Sequence, residues 1–213
     1  MHSSSKIFLH GELQDFLDRD KETGGIIYRI TRKASIKDVI ESLGPPHTEI
    51  ARIRINGTIS NFKHILRAGD IVHVYPHEPP VDITRDSELK PGFKQANRFL
   101  VDVNVGKLAK LLRMLGYDTA YDPNWSDREI AELASRENRV VLTRDKGLLK
   151  RGKIVWGRLL RGDLPEEQFK ETVNFFGLST SGDLFSRCLE CNTELVSVQK
   201  SEIIHLLEPK TRK

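Results

Sequence analysis

Apolar positions along the 213-residue chain change period at two places. Up to about residue 76 they alternate in short runs. "KIFLHGEL" (6–13) and "GIIYRI" (25–30) predict two strands. "SIKDVIESLG" predicts a helix: Ser35 as N-cap, Ile36, Val39, Ile40 and Leu43 on one face, and Gly44 at its end. In "EIARIRINGTIS" the pair Asn56-Gly57 predicts a tight hairpin, because both residues tolerate positive φ. "AGDIVHVYP" predicts a closing strand.

Two strands, a helix, then more strands is a β-grasp order, assigned to residues 1–79. The segment resembles ubiquitin-like sulfur-carrier domains. Those carriers use a terminal Gly-Gly, whereas here "VYPHEPPVD" runs straight on. That points away from sulfur transfer and toward a binding or positioning module able to recruit a protein partner. Residues 80–97 are polar and interrupted by proline, and read as a linker. The first domain is therefore expected to fold alone and to be dispensable for any chemistry in the second.

From residue 98 the pattern becomes strand–helix–strand. "RFLVDVN" predicts a strand, "VGKLAKLLRMLG" a helix, "YDTAYD" a short strand and "SDREIAELASREN" a helix opened by a Ser126–Glu129 capping box. "RVVLTRD" predicts a strand buried on both faces, "KIVWG" a fourth strand and "LPEEQFKETVNFFG" a last helix. The expected architecture over 98–178 is a parallel α/β sheet covered on both faces.

Composition adds bounds. Charged residues are 30% and apolar ones 38%, the balance of a soluble globular protein, with no apolar run of membrane-spanning length and no signal-peptide core. The expected location is cytoplasmic. Net charge is only +4, but between Arg144 and Arg161 seven cations face one acid. Such a patch suits a polyanion, or is simply a solvated surface.

Open α/β sheets bind ligands beyond the carboxyl ends of their strands. Asp102, Asp122 and Asp145 each end a strand there, and Asp127 opens the helix after the second. Clustered carboxylates suit a hard divalent cation, Mg²⁺ or Mn²⁺, which activates water and neutralises phosphate charge. Each acid also has a plainer role: Asp127 on a helix dipole, Asp145 paired with Arg144 or Lys146, Asp122 in a turn.

"FLVDVNVGKLAKLLRMLGYDTAYD" followed by "SDREIAELASRENRVVLTRDKGLLKR" resembles the Mut-seven C-terminal-type ribonuclease domain, a compact relative of PIN nucleases. The first domain is similar to the ubiquitin-like module often fused before it. The resemblance implies metal-dependent hydrolysis of RNA, with Asp102, Asp127 and Asp145 as catalytic metal ligands and Asp122 in place of a helical Glu that is lacking. Lys107, Lys110, Arg113, Arg144 and Lys146 then become RNA-binding candidates. Residues 179–213 resemble the start of a zinc ribbon. Cys188 and Cys191 form half of a four-thiolate site, complete for Zn²⁺ only with a second cysteine pair. Two other readings stay open: a non-catalytic RNA-binding or adaptor protein, and a phosphatase with Asp102 as nucleophile, where Asn104 replaces the usual second acid.

Overall fold

The computed structural model describes residues 4–17, 25–95 and 98–211; residues 1–3, 18–24, 96–97 and 212–213 lie outside that description. The first sheet contains β1 (Ser4–Leu9), β2 (Ile26–Arg29), β3 (Ile50–Ile55), β4 (Thr58–Ser60) and β5 (Ile71–Pro76), in the order β2-β1-β5-β3-β4. The central pair β1/β5 is parallel and the outer pairs are antiparallel. Helix α1 (Ile36–Leu43) is capped by Ser35, whose side chain accepts from Asp38 N. The apolar alternation buries Ile7, Leu9, Ile53, Val72 and Val74 against Ile36, Val39 and Ile40. Asn56 and Gly57 take φ of +50° and +84°, as the β3–β4 hairpin turn requires. "KIFLHGEL" is not one strand. It turns at Gly11, φ +53°, into a 3-10 segment over Gly11–Phe16.

The second sheet has β6 (Phe99–Val101), β7 (Thr119–Ala120), β8 (Val140–Thr143) and β9 (Gly157–Leu159), all parallel, in the order β7-β6-β8-β9. Helices α2 (Lys107–Met114) and α5 (Pro165–Phe176) cover one face; Leu108, Leu112, Phe175 and Phe176 pack on Phe99, Val101, Val140 and Leu142. On the other face α3 (Asp127–Glu137) and the short α4 (Lys146–Leu149) place Ile130, Ala134, Leu148 and Leu149 on Leu100 and Val141. The β6–β7 and β7–β8 crossovers thus lie on opposite faces, which puts the topological switch point between β6 and β8. The fourth strand lies later than the "KIVWG" pattern suggests. Ile154 closes a turn on Arg151 O, and pairing begins at Gly157, where an added Cβ would lie 2.6 Å from Leu149 Cδ2. Among the described residues no helix is long and apolar enough to cross a membrane.

The segment 80–97 is expected as a linker, but its described part, 80–95, packs against the second domain. Val81, Ile83 and Phe93 are buried in its core, Val81 N donates to Phe175 O, and Trp156 Nε1 donates to Pro91 O. Scattered apolar residues in a polar stretch carry no period, so this packing leaves no repeating pattern. Lys90 is buried here, with Nζ donating to Thr48 O and to His77 Nε2 and lying over the Trp156 ring. Burial pushes Lys90 down to about 7, against the pull of Glu49, and burial followed by Lys90 pushes His77 down to about 2.

A buried ion cluster fastens the domains together. Arg158 on β9 donates to Glu49 Oε2 at 2.7 Å, to both oxygens of Glu12 at 2.6 and 3.0 Å, and to Glu171 at 3.2 Å. The side chain of Glu49 is 0% exposed and that of Arg158 6%. Leu159 N donates to the second Glu49 oxygen at 2.7 Å. Burial pushes the Glu49 carboxyl up, against Arg158 and the Leu159 N–H. Burial works against the charge of Arg158, yet Glu12 and Glu49 raise its pKa. Each Glu49 oxygen accepts an N–H, the hydrogen-bonding pattern of a carboxylate.

Candidate active site

Asp102 follows β6 directly, and in the ladder its N–H donates to Leu142 O. That brings it beside Thr143, the last residue of β8, which is 0% exposed; Asp102 itself is 6% exposed. Thr143 Oγ1 donates to Asp102 Oδ2 at 2.6 Å. Asn104 Nδ2 donates to the same carboxylate oxygen at 2.7 Å and to Thr143 Oγ1 at 3.2 Å. Val103 N donates to Asp102 Oδ1 at 2.7 Å. The loop after β8 closes the network: Arg144 N donates to Asn104 Oδ1 at 3.1 Å, and Asp145 N to Thr143 Oγ1 at 2.9 Å. Asp145 Oδ1 accepts from Gly147 N at 2.6 Å, capping α4.

These bonds have one chemical consequence. Asp102 receives three hydrogen bonds but, among the described residues, no cation. A buried carboxylate without a counter-charge is costly unless hydrogen bonds or a metal compensate it. A carboxylate offers about four acceptor positions, so Asp102 Oδ1 retains capacity. Asp145 Oδ2 has no partner among the described residues. One hydroxyl and one amide thus hold the Asp102 carboxylate and tie it to the backbone of the Asp145 loop, while Gly147 N holds the Asp145 carboxylate. Asn104 and Thr143 hold the Asp102 carboxylate, a part in the network that the sequence did not assign to them. The one signal was a polar residue closing each of two buried strands.

The other two acids do not join this network. Asp127, at the first turn of α3, is paired with Arg151 at 3.2 Å, both half-exposed. Asp122 accepts from Asn124 N at 2.9 Å and from Asn124 Nδ2 at 3.1 Å, an Asx turn that lines a cleft with Lys110 and Arg113. Among the described residues no group of three or more His, Cys, Asp or Glu side chains is placed to hold a metal ion.

The basic candidates divide. Lys107 and Lys146 are exposed and, among the described residues, make no ion pair. Lys110 pairs with Glu190, and Arg144 with Asp163 at 2.6 Å. Arg113 is a correction: it is buried, and its guanidinium donates to Thr119 O, Leu189 O and Glu190 O. It holds the Cys188–Cys191 loop rather than facing a phosphate. The dense run from Arg144 to Arg161 is largely occupied too. Arg151 and Lys153 meet Asp127 and Glu132, Lys150 donates to Glu41 O, and Arg158 and Arg161 meet acids of the first domain. Trp156 is core.

Cys188 and Cys191 are free thiols on a loop closed by Cys188 N donating to Thr193 O and Asn192 N to Cys188 O. A hydrogen bond with Thr193, with a further contribution from Cys188, holds Cys191 down to about 7.

Two family models match the chain: the Mut7-C RNAse domain over residues 97–213 and the Mut7-C ubiquitin domain over residues 3–82. The chain matches no curated protein and no solved structure.

Proposed function

The chain belongs to the Mut7-C RNAse domain family, with a ubiquitin-like domain in front, and from that nuclease premise we propose that it hydrolyses RNA phosphodiester bonds with a divalent cation at the β6/β8 switch point. The observation that carries this reading is the Asp102–Thr143–Asn104–Asp145 network, at the carboxyl edge of the sheet, with a buried carboxylate that meets no cation among the described residues. Asp102 and Asp145 fit a hydrated Mg²⁺ or Mn²⁺, since Mg²⁺ sites commonly use one or two carboxylates and keep several waters. Such an ion lowers the pKa of bound water and offsets charge on the phosphate.

The residues of the chain divide the remaining tasks. Thr143 and Asn104 fix the Asp102 rotamer. Asp127 is a third ligand once it leaves Arg151, and a half-exposed ion pair of that kind is worth about 0–1 kcal/mol. Lys107 and Lys146 hold the RNA phosphates. Arg144 joins them when it leaves Asp163. The layout of acids is PIN-like in this reading, and Cys188 with Cys191 is half of a zinc-ribbon thiolate site.

The test is cleavage of mixed RNA in Mn²⁺, Mg²⁺ or chelator, wild type beside Asp102→Asn, with melting as the fold control. Ion-dependent cleavage by wild type alone is expected. RNA binding without cleavage under any ion would favour the non-catalytic adaptor reading instead.

A further inference from the structure

We propose that the cleft where the two domains meet, lined by Asp15, Phe16, Lys146, Leu159 and Arg161, is a nucleotide subsite of this active site. It takes one unpaired base of single-stranded RNA against Phe16 and the adjoining phosphate on Lys146. The proposal rests on the nuclease reading above and adds to it a residue from the other domain.

Position comes first. Leu159 ends β9 and is the ladder partner of Thr143, the hydroxyl that links Asp102 to Asp145. Lys146 follows Asp145 in the chain. The cleft therefore opens at the carboxyl edge of the sheet, one strand from the switch point. Phe16 arrives from the first domain as the last residue of its 3-10 segment, and it packs partly against the cores of both domains.

The chemistry fits a nucleotide. Two cations lie over the Phe16 ring, Lys146 Nζ at 5.1 Å and the Arg161 guanidinium at 5.7 Å from its centroid. Arg161 is a fixed wall: it donates to Asp15 at 2.8 Å and to Glu12 O at 3.2 Å, and its own N–H bonds Glu171 at 2.9 Å. Asp15, the one acid of the lining, is therefore neutralised. The Lys146 ammonium, by contrast, makes no ion pair or hydrogen bond among the described residues. It can swing to a phosphate and uncover the ring. Bases stack on aromatic side chains flanked by cations, and unpaired strands offer their faces where a duplex does not. The cleft has a volume of about 210 Å³, below the roughly 300–1,000 Å³ of sites for drug-sized ligands. That limits it to a fragment on the scale of one base.

The experiment uses the full chain in chelator, so that binding is read without cleavage. Fluorescent single-stranded and duplex RNA of one sequence are titrated against wild type, Phe16→Leu and Phe16→Trp, with urea midpoints as the fold control. Phe16→Leu is expected to weaken single-strand binding about tenfold, within the range for losing one stacked base. It should spare duplex binding, and Phe16→Trp should keep the affinity. Single strands carrying 5-iodouridine should cross-link to the peptide containing Phe16. Unchanged single-strand affinity in folded Phe16→Leu would overturn the subsite, as would an equal loss for both RNA forms. If Phe16→Leu does not fold, a wild-type protein without the cross-link overturns it as well. Wild type that cross-links through Phe16 yet cleaves nothing in Mn²⁺ keeps the base contact and removes the nuclease reading. Wild type that binds no single-stranded RNA in chelator overturns the subsite, and cleavage in Mn²⁺ then decides the nuclease reading separately.

Discussion

Arg158→Met tests whether the two domains are fastened by charge. The guanidinium is 6% exposed and serves three carboxylates, of which Glu49 is wholly buried. Methionine keeps much of the apolar contact with Phe175, whose ring lies 4.1 Å from the guanidinium carbon. What disappears is the cation. Breaking a buried pair from one side costs about 3–5 kcal/mol, because the surviving charge has lost its compensation. Against a typical total of roughly 5–15 kcal/mol that is about a fifth or more of the stability. For a chain of this size it corresponds to a fall in melting temperature of about 10 °C.

The pH dependence identifies the cause. Without Arg158, burial raises the Glu49 carboxyl further above its unfolded value. A folded-state carboxyl with a raised pKa stabilises below the unfolded pKa, and that contribution is lost as pH rises through the folded pKa. The deficit relative to wild type should therefore be larger at pH 8 than at pH 5. Urea denaturation at both pH values measures it, with Glu49→Gln and the double substitution closing a cycle. The double should cost less than the sum, since Glu49→Gln removes the buried charge that Arg158→Met leaves uncompensated. A loss below about 1 kcal/mol, the scale of an exposed pair, or one that does not change with pH, would refute the reasoning.

Three further outcomes follow from single contacts. Thr143→Val leaves Asp145 N unpaired and Asp102 short of a donor; it should cost about 1–3 kcal/mol in urea and lower cleavage at least tenfold, with Thr143→Ser restoring both. Burial opposes ionisation of Asp118, but Arg139, Asn192 and Arg98 outweigh it and hold the carboxyl well below its usual range; its stabilisation is present above about pH 4 and lost on further acidification, so thermal melts from pH 5 to 2 should fall more steeply for wild type than for Asp118→Asn. Lys90, pushed by burial to about 7, binds fewer protons folded than unfolded between that value and about 10.4; wild-type stability should rise across this window, and melting of Lys90→Met should lack the rise.

The strand-end placement of Asp102 was legible because it interrupts an apolar strand, and that of Asp145 because it follows one at once. The capping boxes and the hairpin were legible because each is made by residues a few positions apart. Arg113 was misread for a geometric reason. Lys107, Lys110 and Arg113 are three apart, but at 3.6 residues per turn the third is rotated by about 120° from the first, which carries Arg113 into the interior. Asp127 was placed with the other acids because the sequence holds no sign of Arg151 reaching it from the far side of β8. The charge run from Arg144 to Arg161 was misjudged likewise, since Glu12, Asp15 and Glu41 lie more than a hundred residues away. Pairings between distant positions leave no periodic trace, so neither period nor charge count separates a free cation from an occupied one.

The same contacts bear on why the first domain is present. A module that only recruits a partner needs nothing more than a flexible tether, because tethering raises local concentration without fixing orientation. Here the connecting segment is packed through Val81, Ile83 and Phe93, and Arg158 is shared by acids from both domains. His47 adds a further link, with Nε2 donating to Ile154 O at 2.8 Å. Catalysis, unlike recruitment, is sensitive to displacements of about 1 Å. A brace that holds Glu12 against Arg158 also holds Phe16, four residues on, against Lys146 and hence beside Asp145. Removing residues 1–76 would leave Arg158 without Glu12 and Glu49, and would take away one wall of the cleft. The expectation that the first domain is dispensable conflicts with that geometry. A chain beginning near residue 77 should be destabilised even where it folds, and should lose single-strand preference before it loses hydrolysis. A shortened chain as stable and as selective as the full one would show that the brace serves neither purpose.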